Sequence, residues 1–212
     1  MKKILLAILA ISFFNNATPN TREGFQQKTM VQGYAKEDST KKDKRYLAGA
    51  IPLVDGKVVF TMDEDIHNKN AQEIYDLLYT FIDNMTQEDN QTDKSQITLF
   101  NKQEHIIVAR FREWMIFKKQ PFNLDQTIFN YTMIVKCSDQ HVNITISHIS
   151  YEYELERNDG EGMITSAEEW ITDEFALTKK KDRLSKYSGK FRRKTIDRKN
   201  EIFSHISKTL SH

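Results

Sequence analysis

The feature that most constrains this chain is a strict alternation of apolar and polar side chains in its second half. From Phe129 to Cys137 every second residue is apolar, and the residues between are mostly polar. Successive side chains of a β-strand point to opposite faces of a sheet, so this pattern predicts a strand with one buried face. After a tight turn at 138–140 the alternation resumes at Val142, then slips by one residue before Ile149, which predicts a second strand containing a β-bulge.

Two further segments upstream predict a hairpin. Residues 96–100 and 106–111 are rich in apolar and β-branched side chains and are separated by a short polar connection at 101–104. Residues 114–117 either continue the second strand past a bulge at Arg112-Glu113 or form a separate strand.

One segment predicts an amphipathic helix. Its apolar residues recur at steps of three and four from Ala71 to Met85, which places them on one helix face. Asn70 followed by Glu73 has the spacing of a capping box at the helix start. A short strand from Val58 to Met62 is predicted to precede the helix.

The C-terminal quarter predicts two more helices. Ser166 is placed to cap a short helix at 167–170, and a long helix is predicted from about Thr178 towards Leu210, with a bend at Gly189. The predicted fold is therefore α+β: a curved antiparallel sheet with helices on one face, in the order β-α-β-β-(β)-β-β-α-α.

The N-terminus has the order of a secretory signal. Lys2 and Lys3 precede an apolar run from Ile4 to Phe14, and small or polar residues follow to Ala17. The run is about eleven residues, too short to span a bilayer. We expect residues 1–17 to be a cleaved signal peptide and the protein to be exported to the periplasm or cell surface, or secreted. The other expected regions are a polar linker (18–45), an α+β domain (46–157) and a basic helical extension that packs on it (163–212).

Charge is distributed unevenly although the whole chain carries only +1. Residues 178–212 carry twelve Lys/Arg and three acidic side chains, a net +9; with Lys2 and Lys3 in the signal, residues 18–177 carry −10. Six of these cations form a basic cluster on the predicted long helix: Lys190, Arg192, Arg193, Lys194, Arg198 and Lys199. It has three interpretations: docking on the acidic body of its own chain with Phe191 and Ile196 as apolar anchors, a solvated face, or binding of anionic lipid or nucleic acid.

Five side chains are candidates for a ligand-binding face on the open side of the sheet: Arg110, Arg112, Trp114, Tyr151 and Tyr153. The alternative is that the aromatic residues among them belong to the core or to cross-strand pairs.

The sequence contains no motif of a known catalytic, cofactor or metal site. None of the six histidines has metal-ligand spacing, and the single cysteine, Cys137, is expected to be a buried small hydrophobe. Adjacent carboxylates at 63–65 and 173–174 are expected to be solvated. We therefore expect no catalytic residue, no cofactor and no metal ligand.

Four sequence segments resemble one bacterial family of unknown function. The family is found in exported proteins of gut anaerobes and has a TATA-binding-protein-like (TBP-like) fold. The similarity extends over about residues 46–203, and its segments are Tyr46–Pro52, Asp55–Phe60, Ala167–Asp173 and Lys190–Asp197. The resemblance implies a curved antiparallel sheet with helices on its convex side; it implies no catalytic residue, and it does not imply DNA binding, because one fold hosts many functions.

These observations favour a non-enzymatic binding or interaction module of the bacterial envelope. Its partner would be an envelope protein or a small ligand; a membrane surface is a further candidate, no transmembrane segment is expected after signal cleavage, and nucleic acid is not expected. One alternative is an adaptor that binds anionic lipid through the basic helix. The other is an enzyme whose composite site draws on several of Asp63, Glu64, His105, Arg110 and His148.

Overall fold

The main element of the fold is an antiparallel sheet of six strands. The computed structural model describes residues 44–121, 123–154 and 162–211, all within a unit spanning Ser39–His212. The expected signal peptide (1–17) and all of the expected linker before Lys44 lie outside the described residues. The strands are β1 (Leu53–Val54), β2 (Lys57–Val58), β3 (Phe60–Asp65), β4 (Gln96–Asn101), β5 (Ile106–Gln120), β6 (Asn123–Ser138), β7 (His141–Tyr153) and β8 (Met163–Ser166).

The order of neighbours in the main sheet is β3-β7-β6-β5-β4. The first half of β7 pairs with β3, and its second half pairs with β8. Strands β1 and β2 form a separate small hairpin. The expected α+β class with an antiparallel sheet is confirmed. The predicted strand from Val58 to Met62 is divided between β2 and β3, and β1 and β8 are additions to the expected order.

The alternation in β6 and β7 has the predicted consequence. In β6 the apolar set from Phe129 to Cys137 is buried, including the free thiol of Cys137. The register between β6 and β7 shifts between Asn130 and Thr132, opposite His148, whose φ is 52°. This is the predicted β-bulge, and it keeps Ile149 and Tyr151 on the buried side with the residues that precede the bulge.

Strand β5 runs without a break through Trp114 to Gln120, so residues 114–117 continue the strand. The predicted bulge at Arg112-Glu113 is wrong. Both residues pair regularly with β6, and the register shifts later, between Ile116 and Lys118. The Glu113 side chain lies on the helix side of the sheet, where Arg198 donates to its buried carboxylate.

Helix α1 spans Ala71–Thr86 and starts with the predicted capping box. The Asn70 side chain accepts from the N–H of Glu73 at 3.0 Å, and the N–H of Asn70 donates to the Glu73 carboxylate at 2.8 Å. The buried side chains of α1 include Ile74, Leu78 and Ile82, which pack on the sheet. The periodic apolar stripe therefore covers one sheet face.

The C-terminal region differs from the prediction. Helix α2 (Ala167–Trp170) is capped by Ser166 as predicted, but the long helix α3 spans Gly189–Leu210 and does not begin near Thr178. Lys181 has a φ of 52°, a left-handed conformation that a helix cannot contain, and the bridge between Leu177 and Leu184 folds the segment back on itself.

Gly189 lies at the start of α3 and not at a bend within it. An added Cβ there would approach the Cβ of Leu184 to 2.7 Å. The glycine thus permits close packing of the helix start on the preceding turn. The region expected as a helical extension from residue 163 also begins with a strand, β8, which is part of the main sheet.

The sheet has two distinct faces. On the helix face the core side chains include Phe111, Tyr131, Ile144 and Tyr151, and α1 and α3 pack against them. The opposite side, which we call the open face, is formed by the alternate residues of the same strands. In β5 these are Ile106, Val108, Arg110, Arg112, Trp114 and Ile116.

Candidate functional site

The open face carries a row of side chains across four strands. Trp114 of β5 pairs in register with Ile128 of β6, Ile128 with Glu152 of β7, and Glu152 with Ile164 of β8. Trp114 is 39% exposed and Ile164 is 74% exposed, whereas Ile128 between them is buried. Large apolar side chains therefore lie at both ends of the row and remain accessible.

Two further apolar side chains extend this group along the strands. Ile116 of β5 pairs with Gln126, and Leu124 lies two residues before Gln126 on the same face. Ile116 is 41% exposed and Leu124 is 53% exposed. We call Trp114, Ile116, Leu124 and Ile164 the apolar patch. An exposed apolar group on a sheet face is typical of an interaction surface.

An ion pair stands beside this patch. The Arg112 guanidinium donates to both carboxylate oxygens of Glu152, at 3.3 and 2.8 Å, and Asn130 donates to the same carboxylate at 3.0 Å. The hydrogen bond from Arg112 is the main reason that the pKa of Glu152 lies below its ordinary value. The bidentate pair fixes Arg112, so this residue is not a free cation for a ligand.

The five predicted face residues do not lie together. Arg110, Arg112 and Trp114 are on the open face, but Tyr151 and Tyr153 are on the helix face. Tyr151 is fully buried; its hydroxyl is 2.7 Å from that of Thr195 in α3, and burial raises its pKa. The bulge at His148 is the physical reason, because it returns the residues after it to the buried side.

Sequence reasoning missed Ile116, Leu124 and Ile164 as parts of this surface. Ile116 and Leu124 lie beside the irregular pairing at the end of the β5–β6 hairpin, and they come together on one surface only through the pairing of β5 with β6. Ile164 is in a four-residue strand too short to show a period. The signals available were that Ile116 follows Trp114 at a spacing of two residues and that Leu124 is a large apolar residue between Asn123 and Asp125.

Helix α3 packs on the helix face of the sheet, with Phe191 and Ile196 buried. Arg192 is fully buried in this contact. Its guanidinium donates to the carbonyl oxygens of Tyr46 (2.7 Å), Leu47 (2.6 Å) and Ile171 (2.9 Å), and to the Asp173 carboxylate at 2.7 Å. Arg192 thus binds the chain's own backbone and not an external anion.

Three other members of the basic cluster also have partners within the chain. Lys190 donates to the Asp125 carboxylate at 2.8 Å and lies over the ring of Tyr153 at 4.4 Å. Arg198 bonds the buried carboxylate of Glu113. Lys199 lies 5.5 Å from the ring of Phe60, and burial lowers its pKa.

The remaining two cluster members are Arg193 and Lys194. Arg193 also has a partner within the chain, since its guanidinium lies 5.1 Å from the centre of the Tyr46 ring. Lys194 is half-buried and borders a pocket of about 290 Å³ that also includes Phe117, Leu184 and Arg193.

The residues suggested for a composite enzyme site lie in separate places. The Asp63 side chain accepts from Asn143 on the open face, Glu64 accepts from Ser207 of α3, and Arg110 is exposed on β5. His105 lies in the β4–β5 turn and contacts the ring of Tyr75 on α1. His148 lies at the bulge of β7 beside Ser147.

A small acidic group surrounds His141 at the far end of the open face. Its Nδ1 is 2.9 Å from the Asp65 carboxylate and its Nε2 is 3.2 Å from Asp63. The hydrogen bond with Asp65 is the main cause of a raised His141 pKa. Across the described ranges, no group of three or more His, Cys, Asp or Glu side chains is placed to hold a metal ion.

None of the described helices is both long enough and apolar enough to cross a membrane.

The antiparallel sheet, covered by helices on one face, defines an α+β protein with a TBP-like fold. A family described as a domain of unknown function (DUF4468) with TBP-like fold matches residues 60–152. A DUF4468 family protein of Bacteroides ovatus is 32% identical, with a TM-score of 0.73, over 81% of this chain and 96% of its own. The chain belongs to the DUF4468 family, as the sequence resemblance indicated.

A second solved structure supports the fold alone. It is a TBP-like protein of Parabacteroides distasonis that is 21% identical with a TM-score of 0.61, over 76% of this chain and 97% of its own. A comparison with curated proteins finds no match.

Proposed function

We propose that this protein is an exported, non-enzymatic interaction module of the bacterial envelope that docks a partner protein on the open face of its sheet. The observation that carries the proposal is the apolar patch. Its side chains are 39–74% exposed on the open face, whereas the helix face of the same sheet is covered by α1 and α3; they are Trp114, Ile116, Leu124 and Ile164. Exposure of four large apolar side chains in one region is unfavourable unless a partner covers them.

The types of residue in this region fit a protein interface. Trp and Arg are enriched among the side chains that contribute most to protein binding, and Trp114 lies close in the strand to Arg110 and Arg112. The Arg112–Glu152 pair supports these groups from the side, so the face is ordered before a partner arrives. An ordered face loses less conformational entropy on binding.

Charge around the patch indicates the chemistry of the partner. Arg110 and Lys119 are exposed, and Lys119 pairs in register with Leu124. We therefore propose a partner surface with an apolar centre and acidic side chains at its rim. Nucleic acid is a poorer partner, because Asp63 and Asp65 lie on the same face and Arg112 is already neutralised.

Placement of the remaining residues also favours protein binding over the two alternatives. Five of the six cations proposed for an anionic-lipid adaptor have partners within the chain, namely Lys190, Arg192, Arg193, Arg198 and Lys199. The five residues proposed for a composite enzyme site lie on different faces and in different turns. Neither alternative has a gathered set of side chains to support it.

The test is a pull-down from an envelope extract containing proteins, lipids and glycans, with three immobilised forms of residues 18–212. The forms are the unchanged chain, Trp114→Ser/Ile164→Lys, and the control Tyr187→Ser, which removes a 74% exposed side chain outside the sheet. We expect a protein that the unchanged chain and the control retain and the double variant loses. Equal retention by all three forms, or retention of no protein, would contradict the proposal.

Export is tested separately by N-terminal sequencing of the protein from its native cell. We expect the mature chain to begin near residue 18, because the signal pattern ends at Ala17. A cell-associated chain that still begins at Met1 would contradict export and leave the binding face unaffected.

A further inference from the structure

A groove lies at the edge of the sheet, away from the apolar patch. It is bounded by α1 on one side and by the second half of β4 and the following turn on the other. Its volume is about 490 Å³, and it is lined by Tyr75, Asp76, Tyr79, Leu99, Phe100, Asn101 and Lys102. The groove therefore runs alongside a strand edge.

The strand that borders the groove is the last in its sheet. Strand β4 pairs with β5 on its inner side, and within the described ranges no strand pairs with its outer side. In an antiparallel strand every second residue directs its N–H and C=O away from the paired neighbour. The outer edge of β4 therefore offers backbone donors and acceptors to an incoming strand.

The two ends of the sheet differ in charge. Strand β3, at the opposite end, carries Asp63, Glu64 and Asp65, and charged side chains discourage the addition of another strand. Strand β4 has the sequence Gln-Ile-Thr-Leu-Phe-Asn and contains no charge. Its Leu99 and Phe100 are 50% and 63% exposed. The edge at β4 thus lacks the usual protection by charge.

A bulge defines which part of β4 is available. The register with β5 shifts between Ile97 and Leu99, so the regular stretch that borders the groove is Leu99–Asn101. Three residues of open edge beside a groove suit a short extended peptide better than a long strand.

The walls of the groove favour an uncharged apolar side chain. The rings of Tyr79 and Phe100 meet edge-on at 5.8 Å, and Tyr79 stacks on Tyr75 at 6.1 Å. The charged residues of the rim, Asp76 and Lys102, are 3.5 Å apart and compensate each other. A charged ligand side chain would find no unpaired opposite charge there.

We propose that the outer edge of β4 binds a short extended peptide of a partner protein by strand addition, with an uncharged aromatic or branched aliphatic side chain in the groove, against the rings of Tyr79 and Phe100. This site is separate from the apolar patch. Main-chain hydrogen bonds to Leu99–Asn101 supply the pairing, and the aromatic walls select the side chain.

The test is selection of peptides from a displayed library of random 12-residue sequences on the purified chain. Two variants are compared: Phe100→Asp, which places a charge on the edge, and Leu53→Asp, which changes a similarly exposed strand residue of the small β1–β2 hairpin. We expect the selected peptides to carry an uncharged aromatic or branched residue, and to bind Phe100→Asp at least ten-fold more weakly while binding Leu53→Asp unchanged. N-methylation of the peptide residues whose N–H groups face β4 should abolish binding, and amide hydrogen exchange should slow at those N–H groups of Leu99–Asn101 that point away from β5.

Three results would overturn the proposal. The first is that no peptide is enriched on the unchanged chain relative to Phe100→Asp. The second is that N-methylated and unmodified peptides bind equally. The third is a concentration-dependent dimer in ultracentrifugation that Phe100→Asp dissociates, since this would assign the edge to a second copy of the chain.

Discussion

The guanidinium of Arg198 on α3 forms two hydrogen bonds of 2.9 Å with the carboxylate of Glu113 on β5. Glu113 is only 1% exposed, and Gln91 donates to the same carboxylate at 2.6 Å. A buried carboxylate requires such compensation, because removal from water is unfavourable for a charge. The pair therefore joins α3 to the sheet, and removal of either partner leaves the other charge without compensation.

Replacement of Arg198 by Met should strongly destabilise the protein. The change leaves the Glu113 carboxylate buried without its cation, which costs about 3–5 kcal/mol of unfolding free energy. The measurement is urea unfolding. The double variant Arg198→Met/Glu113→Gln should recover much of the loss, because the neutral amide that replaces the Glu113 carboxylate can still accept the hydrogen bond from Gln91. Equal stability of the single and double variants would contradict this role.

Replacement of Arg192 by Lys should also destabilise the fold although the charge is kept. The guanidinium satisfies three carbonyl oxygens and one carboxylate in fixed directions, whereas an ammonium has three donors and a different geometry. We expect a loss of about 2–4 kcal/mol, since buried carbonyl groups are left unpaired. The control is Lys208→Met at an exposed site on the same helix, which should change stability by less than about 0.5 kcal/mol.

Gly189→Ala should destabilise the protein by about 1–3 kcal/mol in urea unfolding, because the new methyl group would overpack the turn against Leu184. The close atom is the Cβ of Leu184. Leu184→Ala keeps this atom and should not relieve the effect, whereas in a Leu184→Gly background Gly189→Ala should no longer be destabilising. An equal cost in both backgrounds would show that the clash is not the cause.

The charge of His141 should depend on Asp65 more than on Asp63. Its hydrogen bond with Asp65 raises the His141 pKa above its ordinary value of 6.5. The folded protein therefore favours the protonated ring: the resulting stability is fully present below about pH 6.5 and is lost as pH rises through the folded pKa. Titration of the His141 ring by NMR should give a midpoint above 6.5.

Two variants separate the contributions of the carboxylates around His141. Asp65→Asn should lower the midpoint more than Asp63→Asn, because the Asp65 hydrogen bond is the larger cause. Identical midpoints in the unchanged chain and Asp65→Asn would refute this assignment.

Local patterns predicted the parts of the fold in which local and tertiary preferences agree. The capping box at Asn70 and the alternation from Phe129 to Cys137 each specify an element by themselves, and both are present. The start of α3 was not predictable in this way, since residues 178–188 contain good helix formers. The tertiary bridge between Leu177 and Leu184 prevents a helix from forming in this segment.

The candidate surfaces were less accessible to sequence reasoning than the fold. Trp114 was identified from its strand position, but Ile164 gains its place on the open face only through the pairing of β8 with β7. Arg192 looked like a member of a charged helix face, and only packing reveals that it is buried. Long-range pairing and burial of single charges leave no periodic signal in a sequence.

The bonds of Arg192 also have a consequence for the order of events on a growing polypeptide. They join Arg192 to Tyr46 and Leu47, which lie 146 and 145 residues earlier in the chain. Closure of so long a loop is slow relative to the formation of local contacts. The carbonyl groups at 46 and 47 therefore lack their hydrogen-bond donor until residue 192 has been synthesised. A nascent or truncated chain that stops earlier would expose these carbonyl groups to proteases and chaperones.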